Sequence, residues 1–346
     1  MEQQVIISKD LRTEVAAAIA RVQPDRLFVL TDTTTRDLCW PLISLPDSTS
    51  LISIPPTDEA KNLESLAAVW TALSEGGATR HSMLINLGGG MITDLGGFAA
   101  STFKRGIAYV NIPTTLLAMV DASVGGKTGI NFRGLKNEIG VFNAASTVIL
   151  DTQFLRTLDA QNLRSGYAEM LKHALISDDA MLCRHLAFDI EHPDLAALQQ
   201  MVADSVAVKE RIVTEDPHEH GIRKALNLGH TAGHAFESMA LATGKPVLHG
   251  YAVAWGLVCE LYLSATRCSF PTERLYQVAQ FVKETYGTFA FTCKDYDRLY
   301  ELMTHDKKNT AGVINFTLLG GVGDIRINQQ ASKDDIFEML DYYREN

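Results

Sequence analysis

Short apolar runs closed by Gly, Pro, Asp or Ser recur through roughly the first 150 residues: Val5–Ser8, Arg26–Thr31, Leu51–Ile54, Met83–Leu87, Ala108–Ile112 and Thr147–Leu150. Helical patterns lie between several of them. Continuous apolar strands alternating with helices predict a parallel sheet covered on both faces. After Asp151 the texture changes to long helical segments, among them Leu163–Ile176, Leu195–Val213, Lys224–Leu241 and Tyr251–Thr266. One late exception, Ile314–Leu319 and Asp324–Asn328 around Gly320-Gly321-Val322-Gly323, reads as a hairpin. The pattern therefore predicts an α/β domain with a Rossmann-like parallel sheet over residues 1–151. A mostly α-helical domain over 152–346 follows, with a site in the cleft between the two.

Composition narrows the function. A formal net charge of -10 disfavours nucleic acid, whose phosphates want a basic footprint, but leaves room for a small anionic substrate met by a local basic cluster. The start, MEQQVIISKD, has no basic region followed by an apolar run, and no stretch approaches the length of a membrane span, so neither a signal peptide nor a membrane is expected. The 5 cysteines (Cys39, Cys183, Cys259, Cys268 and Cys293) form no CxxC pair and read as thiols of a reducing compartment, so the cytoplasm is expected.

Two segments of the first domain suit a nucleotide. Gly88-Gly89-Gly90 follows a predicted strand and opens a helix, so a pyrophosphate can approach backbone N–H groups where no Cβ intrudes, with Asp94 in the first turn. This is not the GxGxxG fingerprint, and a plain tight turn would read the same. Asp32-Thr33-Thr34 ends the second strand, where nucleotides sit in such sheets; Asp32 suits a ribose hydroxyl or, equally, a helix N-cap.

The second domain offers metal ligands. His230 and His234 are four residues apart, and on one continuous helix Leu226, His230, His234, Glu237 and Leu241 share a face from which Phe236 and Met239 point away. A stripe mixing two His with a Glu is not a core stripe. His249 opens the next helix, and Glu169 and Lys172 lie three apart on another. Any single His is read as a satisfied core residue; the cluster is read as a zinc-type site of Glu169 with two of His230, His234 and His249.

Cations stand in unusual surroundings. Lys209 falls inside the apolar stripe Leu195, Leu198, Val202, Val206, Val213, where an ammonium needs an anionic partner, a cavity, or a route to the helix end. Arg105, Lys127, Lys136, Arg223 and Lys307 are isolated among Gly, Asn and apolar residues. Gly125-Gly126-Lys127-Thr128 is not an ATP-binding P-loop, because the required upstream glycine is Asp121.

In order along nearly the whole chain come Gly88-Gly89-Gly90-x3-Asp94-x2-Gly97-Phe98-x-Ala100, Arg105-Gly106, Pro113-Thr114-Thr115-Leu116-Leu117-Ala118-Met119-Val120-Asp121 and Gly125-Gly126-Lys127-Thr128. Then follow Lys136-Asn137, Gly166-Tyr167-Ala168-Glu169-x2-Lys172, Asn227-x-Gly229-His230-x2-Gly233-His234-Ala235-x-Glu237, Leu248-His249-Gly250 and Asp306-Lys307-Lys308. Together they resemble the 3-dehydroquinate synthase family of sugar phosphate cyclases. The resemblance implies NAD and one Zn2+ or Co2+ as cofactors. Metal ligands would be Glu169, His230 and His249, leaving His234 as an acid/base group with Lys127, Lys172, Lys209 and Glu219 as further catalytic residues. NAD would meet Asp32, Thr33, Thr34, Lys61, Gly89, Gly90, Asp94, Thr114, Thr115, Lys136, Phe154 and Thr157. The substrate would meet Arg105, Asp121, Lys127, Asn137, Lys172, Lys209, Arg223, Asn227 and Lys307, with Arg105 lent across a homodimer interface.

The implied reaction converts 3-deoxy-D-arabino-heptulosonate 7-phosphate to 3-dehydroquinate and phosphate by transient oxidation, phosphate elimination, reduction and intramolecular aldol closure. The chain departs from the pattern at Tyr251, where the family usually has an acidic residue after His-Gly, and at Ala145, where it often has Pro. Alternatives are a sister cyclase making another carbocycle, a metal-dependent polyol dehydrogenase, which would form net NADH and which the basic residues disfavour, and a non-catalytic partner subunit.

Overall fold

The computed structural model describes residues 3–304 and 314–346 and divides into two compact units. The first comprises residues 1–159 and 194–206, the second 160–193 and 207–346. One helix, Leu195–Glu215, runs across the border between residues 206 and 207.

Six strands of the first unit form one parallel sheet: β1 (Gln4–Ile7), β2 (Leu27–Asp32), β3 (Ser50–Ile54), β4 (Met83–Gly88), β5 (Ala108–Pro113) and β8 (Thr147–Leu150). These are the six runs expected from the sequence. They lie in the order β1-β8-β5-β4-β2-β3, and every residue of β2, β4 and β8 is buried. That burial explains why the runs are apolar throughout instead of alternating. Helices α1 (Leu11–Val22), α2 (Thr33–Leu38), α3 (Leu63–Glu75) and α4 (Gly90–Thr102) connect them. Chain direction across the sheet reverses between two neighbours: β2 leads outward to β3, whereas the adjacent β4 leads the other way to β5. Such a reversal opens a crevice at the carboxyl ends of the strands, where Asp32 ends β2 and Gly88 ends β4.

An antiparallel hairpin, β6 (Lys127–Phe132) with β7 (Leu135–Phe142), was not expected from the sequence. All eight positions of β7 are exposed, so the strand carries no in–out alternation for the sequence to display.

The second unit is built from α5 (Ala160–Leu175), α6 (Asp179–Ala187), the end of α7 (Leu195–Glu215) from residue 207 on, α8 (His230–Ala242), α9 (His249–Cys268), α10 (Thr272–Tyr286), α11 (Tyr296–Thr304) and α12 (Lys333–Glu345). The predicted hairpin is present as β9 (Phe316–Gly321) and β10 (Asp324–Gln329). Phe236, Trp255, Phe289, Phe291 and Tyr343 form an aromatic cluster in its core, with Phe236 and Phe289 centroids 5.1 Å apart. Each such ring, fully buried, contributes about 1.5–3 kcal/mol.

The single helix expected over Lys224–Leu241 is broken. Ile222–Asn227 forms a 3-10 turn, and α8 starts only at His230. Gly229 takes φ +80, and a Cβ there would lie 2.8 Å from Leu257, so periodicity alone missed a stop that backbone packing imposes. Leu226 therefore belongs to the turn and not to the histidine face, and Leu241 is exposed. Among the described residues no helix is long and apolar enough to cross a membrane.

Candidate metal centre and nucleotide crevice

Glu169 lies in α5, whose last two turns are wholly buried, and its side chain has no exposure at all. Its Oε1 is 3.4 Å from His230 Nε2 and 3.3 Å from His249 Nε2, while Oε2 pairs with the buried Lys172 ammonium. Oε1 is buried and, by geometry, without a hydrogen-bond donor. One oxygen and two ring nitrogens therefore converge, all within 4.8 Å of one another. A divalent ion fits this donor set: one carboxylate and two imidazoles leave a coordination position for substrate.

The second nitrogen of each ring decides what the first can do. His230 Nδ1 faces the Leu228 carbonyl at 3.1 Å, and a carbonyl only accepts, so Nδ1 carries the proton and Nε2 keeps its lone pair. His249 Nδ1 stands 3.5 Å from Glu237 Oε2. A carboxylate behind a ligating imidazole orients the ring and raises its basicity. Glu237 fills that place from α8. Tyr251, the departure expected to matter after His-Gly, is turned to packing: its ring meets Tyr286 and Trp255, and its hydroxyl accepts from Arg164 Nη1 at 3.3 Å. Ala145, the other departure, is buried.

Burial alone would push the Glu169 carboxyl up, but Lys172 and His230 outweigh it and hold the group well below the usual carboxylate range. Burial likewise opposes a charge on His249, yet the carboxylates of Glu169 and Glu237 raise its imidazole from 6.5 to about 10. With the folded value raised, this group stabilises the metal-free chain fully below pH 6.5 and loses that contribution as pH climbs through about 10. The metal-free chain thus carries a proton on His249 at neutral pH, and an incoming ion must displace it. Calorimetric zinc titration at pH 8 in buffers of different protonation enthalpy is expected to show about one proton released per ion, with affinity falling as pH is lowered. No proton release would contradict this arrangement.

His234 completes the imidazole group, its centroid 5.4 Å from His230 and 6.0 Å from His249. Lys172, Lys209 and Arg223 are buried cations of the same unit. Arg223 Nη1 donates to the Pro217 carbonyl at 2.6 Å, and Asn227 Nδ2 to Glu219 Oε1 at 2.7 Å, which ties the turn Ile222–Asn227 to the segment before it. Lys209 is 5% exposed on the α7 face that buries Leu198, Val202 and Val206. Lys307 lies outside the described residues.

In the first unit, the turn from β4 into α4 has Gly89 at the helix N-cap with no side chain capping it. A Cβ on Gly89 would lie 3.1 Å from Thr115, and Thr114 N donates to the Gly88 carbonyl at 3.0 Å, so the glycine turn and Thr114-Thr115 are packed as one wall. Uncapped first-turn N–H groups at the topological reversal suit a pyrophosphate. Lys61 brings Asp94 and Asn137 together, its Nζ 2.5 Å from an oxygen of each. Asp32 serves as the N-cap of α2, accepting from Thr35 N at 2.9 Å; Thr33 and Thr34 follow it in the helix. Lys136 pairs loosely with Asp58 at 3.7 Å in the exposed β7. Thr157 donates to the carbonyl of Phe154, whose ring is in the core. Arg105 is exposed beyond α4, Asp121 half-buried in the turn Ala118–Ala122, and Lys127 exposed at the start of β6.

One residue of the metal-bearing helices escaped the sequence reading. Glu260 of α9 is fully buried. Its signal was present as a lone carboxylate inside the apolar run Trp255–Leu263.

A family model described as 3-dehydroquinate synthase N-terminal matches residues 51–165, and one described as 3-dehydroquinate synthase C-terminal matches residues 166–309. A 3-dehydroquinate synthase of Parabacteroides distasonis is 56% identical over 348 residues, covering 100% of this chain and 99% of its own length. Among solved structures, the 2-epi-5-epi-valiolone synthase ValA of Streptomyces hygroscopicus, with NAD+ and Zn2+ bound, superposes with a TM-score of 0.84 at 27% identity over 100% of this chain and 97% of that one. A 2-deoxy-scyllo-inosose synthase complexed with carbaglucose-6-phosphate, NAD+ and Co2+ shares the fold at a TM-score of 0.80 and 22% identity, covering 99% and 96%.

Proposed function

The chain belongs to the 3-dehydroquinate synthase family, and from that premise we propose that it is an NAD- and metal-dependent lyase. It converts 3-deoxy-D-arabino-heptulosonate 7-phosphate to 3-dehydroquinate and phosphate. The observation that carries this reading is the convergence of Glu169 Oε1, His230 Nε2 and His249 Nε2 in a chain 56% identical to a 3-dehydroquinate synthase along its whole length. When bound, NAD accepts and returns one hydride without net redox change, and a divalent ion acidifies a substrate hydroxyl at neutral pH.

The chain's own residues supply the rest. Glu169, His230 and His249 hold the ion, zinc or cobalt being equally suited to an N/O donor set. Glu237 keeps the His249 ring oriented through Nδ1. His234 is placed to take and return a proton at its imidazole. Lys172, Lys209, Arg223 and Asn227 bind the anionic substrate, partly through the phosphate that must leave. Asp121, Lys127, Asn137 and Lys307 keep the substrate-binding role that the resemblance implies for them. Asp32, Thr33, Thr34, Lys61, Asp94 and the Gly88–Gly90 turn would receive the dinucleotide, Asp32 also capping α2. We place the enzyme in the cytoplasm as a homodimer, with Arg105 serving the partner subunit.

The test is product balance. Incubated with the heptulosonate phosphate, NAD+ and Zn2+, the protein is expected to release inorganic phosphate and 3-dehydroquinate in equal amounts while absorbance at the NADH band stays flat. Stoichiometric NADH without phosphate would mean a dehydrogenase instead.

A further inference from the structure

Helix α8, which carries His230 and His234, begins without a cap of its own. Its N-cap is Gly229, which has no side chain to offer and sits at φ +80. The orphan N–H groups of this first turn are instead taken by a carboxylate from another helix. Glu260 Oε2 accepts from Gly229 N at 2.6 Å, and Oε1 accepts from Thr231 N at 2.9 Å and Ala232 N at 3.1 Å.

Burying a carboxylate costs heavily unless donors replace its water. Here three N–H groups and the positive end of the helix dipole do so together. The N–H groups of the two residues flanking His230, Gly229 and Thr231, are both held by this one side chain. The imidazole itself is fixed to the Leu228 carbonyl just before the turn. Glu260 stands on α9, the same helix that His249 opens, and α8 and α9 touch backbone to backbone: a Cβ on Gly256 would fall 2.0 Å from the Gly229 carbonyl. One carboxylate thus locks the helix bearing one ligand to the helix bearing another.

We propose that Glu260 is a positioning residue for the metal centre, a cap supplied from α9 that sets where His230 stands relative to Glu169 and His249. It touches neither ion nor substrate and acts through the start of α8. The inference rests on the reading of Glu169, His230 and His249 as metal ligands, and the experiment separates the two.

Cobalt binding to the purified full-length protein is followed by competition with a chromophoric chelator and by the visible spectrum of the bound ion. Glu260→Gln keeps the volume but removes the charge and turns one acceptor into a donor facing N–H groups. It is expected to weaken Co2+ binding by about ten- to a hundredfold, the range found for groups that orient ligands, and to shift the cobalt spectrum. Ile336→Ala, a cavity in the buried face of α12, lowers Tm by an unrelated route and is expected to leave cobalt affinity and spectrum at parental values. Should Glu260→Gln not fold, Glu260→Asp keeps the charge one methylene short of the turn and is expected to show the same weakening in smaller measure.

Parental affinity and spectrum in Glu260→Gln, or in Glu260→Asp if only that variant folds, would overturn the proposal while the metal centre stands. Equal weakening in Ile336→Ala would overturn it too, since loss of stability alone would then explain the effect. A parental protein that binds no cobalt would remove the metal centre and this proposal with it.

Discussion

Glu169→Gln is expected to abolish metal binding and turnover together, with kcat/KM down by about a thousandfold or more, which corresponds to the several kcal/mol a bound ion contributes. The amide keeps the volume of the side chain but offers neither the charge nor the basic oxygen that an ion requires. A second consequence follows from burial. Lys172 pairs with this carboxylate and is itself 1% exposed. Removing one partner of a buried pair costs about 3–5 kcal/mol because the other charge is left without compensation. Thermal unfolding is therefore expected to drop by about 10 °C. The double variant Glu169→Gln/Lys172→Met should regain most of that Tm and none of the activity, which separates stability from chemistry. If Glu169→Gln kept stoichiometric zinc, the ligand assignment would be wrong.

Lys209→Ala carries the second largest expectation. Lys209 lies at 5% exposure on the apolar face of α7, where a charge-assisted bond to an anionic substrate forms away from bulk water. One charge-assisted hydrogen bond in such surroundings is worth about 1.5–3 kcal/mol, so kcat/KM should fall by about 10- to 150-fold. Bound zinc and NAD should be unchanged. Turnover at the parental rate would remove Lys209 from the substrate's neighbours.

The contrast between these two residues shows what the sequence could and could not display. Lys209 was legible because its anomaly is one of periodicity: a charge inside a stripe that helical spacing makes visible. All six strands of the parallel sheet were legible for a related reason, since burial on both faces leaves runs without polar interruption. Strand β7 was not, because exposure along its full length leaves no alternation to read.

The metal ligands fell between these cases. Spacing singled out His230 with His234, four apart on one face, whereas the atoms that meet on Glu169 Oε1 belong to His230 and His249, nineteen positions apart on two antiparallel helices. Helical periodicity reports faces within one element and is blind to which of two elements a third will approach. Only the resemblance chose between the alternatives. The early start predicted for α8 failed likewise, since the break at Gly229 comes from α9 packing against that backbone. Glu260 was visible as an oddity in an apolar run, but nothing local shows that three N–H groups await it.

If one buried carboxylate and two imidazoles of this chain hold a catalytic divalent ion, anomalous diffraction at the zinc edge will locate it. A crystal of zinc-loaded protein is expected to show a single strong peak about 2.0–2.2 Å from Glu169 Oε1, His230 Nε2 and His249 Nε2. A peak anywhere else, or none at that point in crystals of protein that turns over the heptulosonate phosphate, would contradict this assignment.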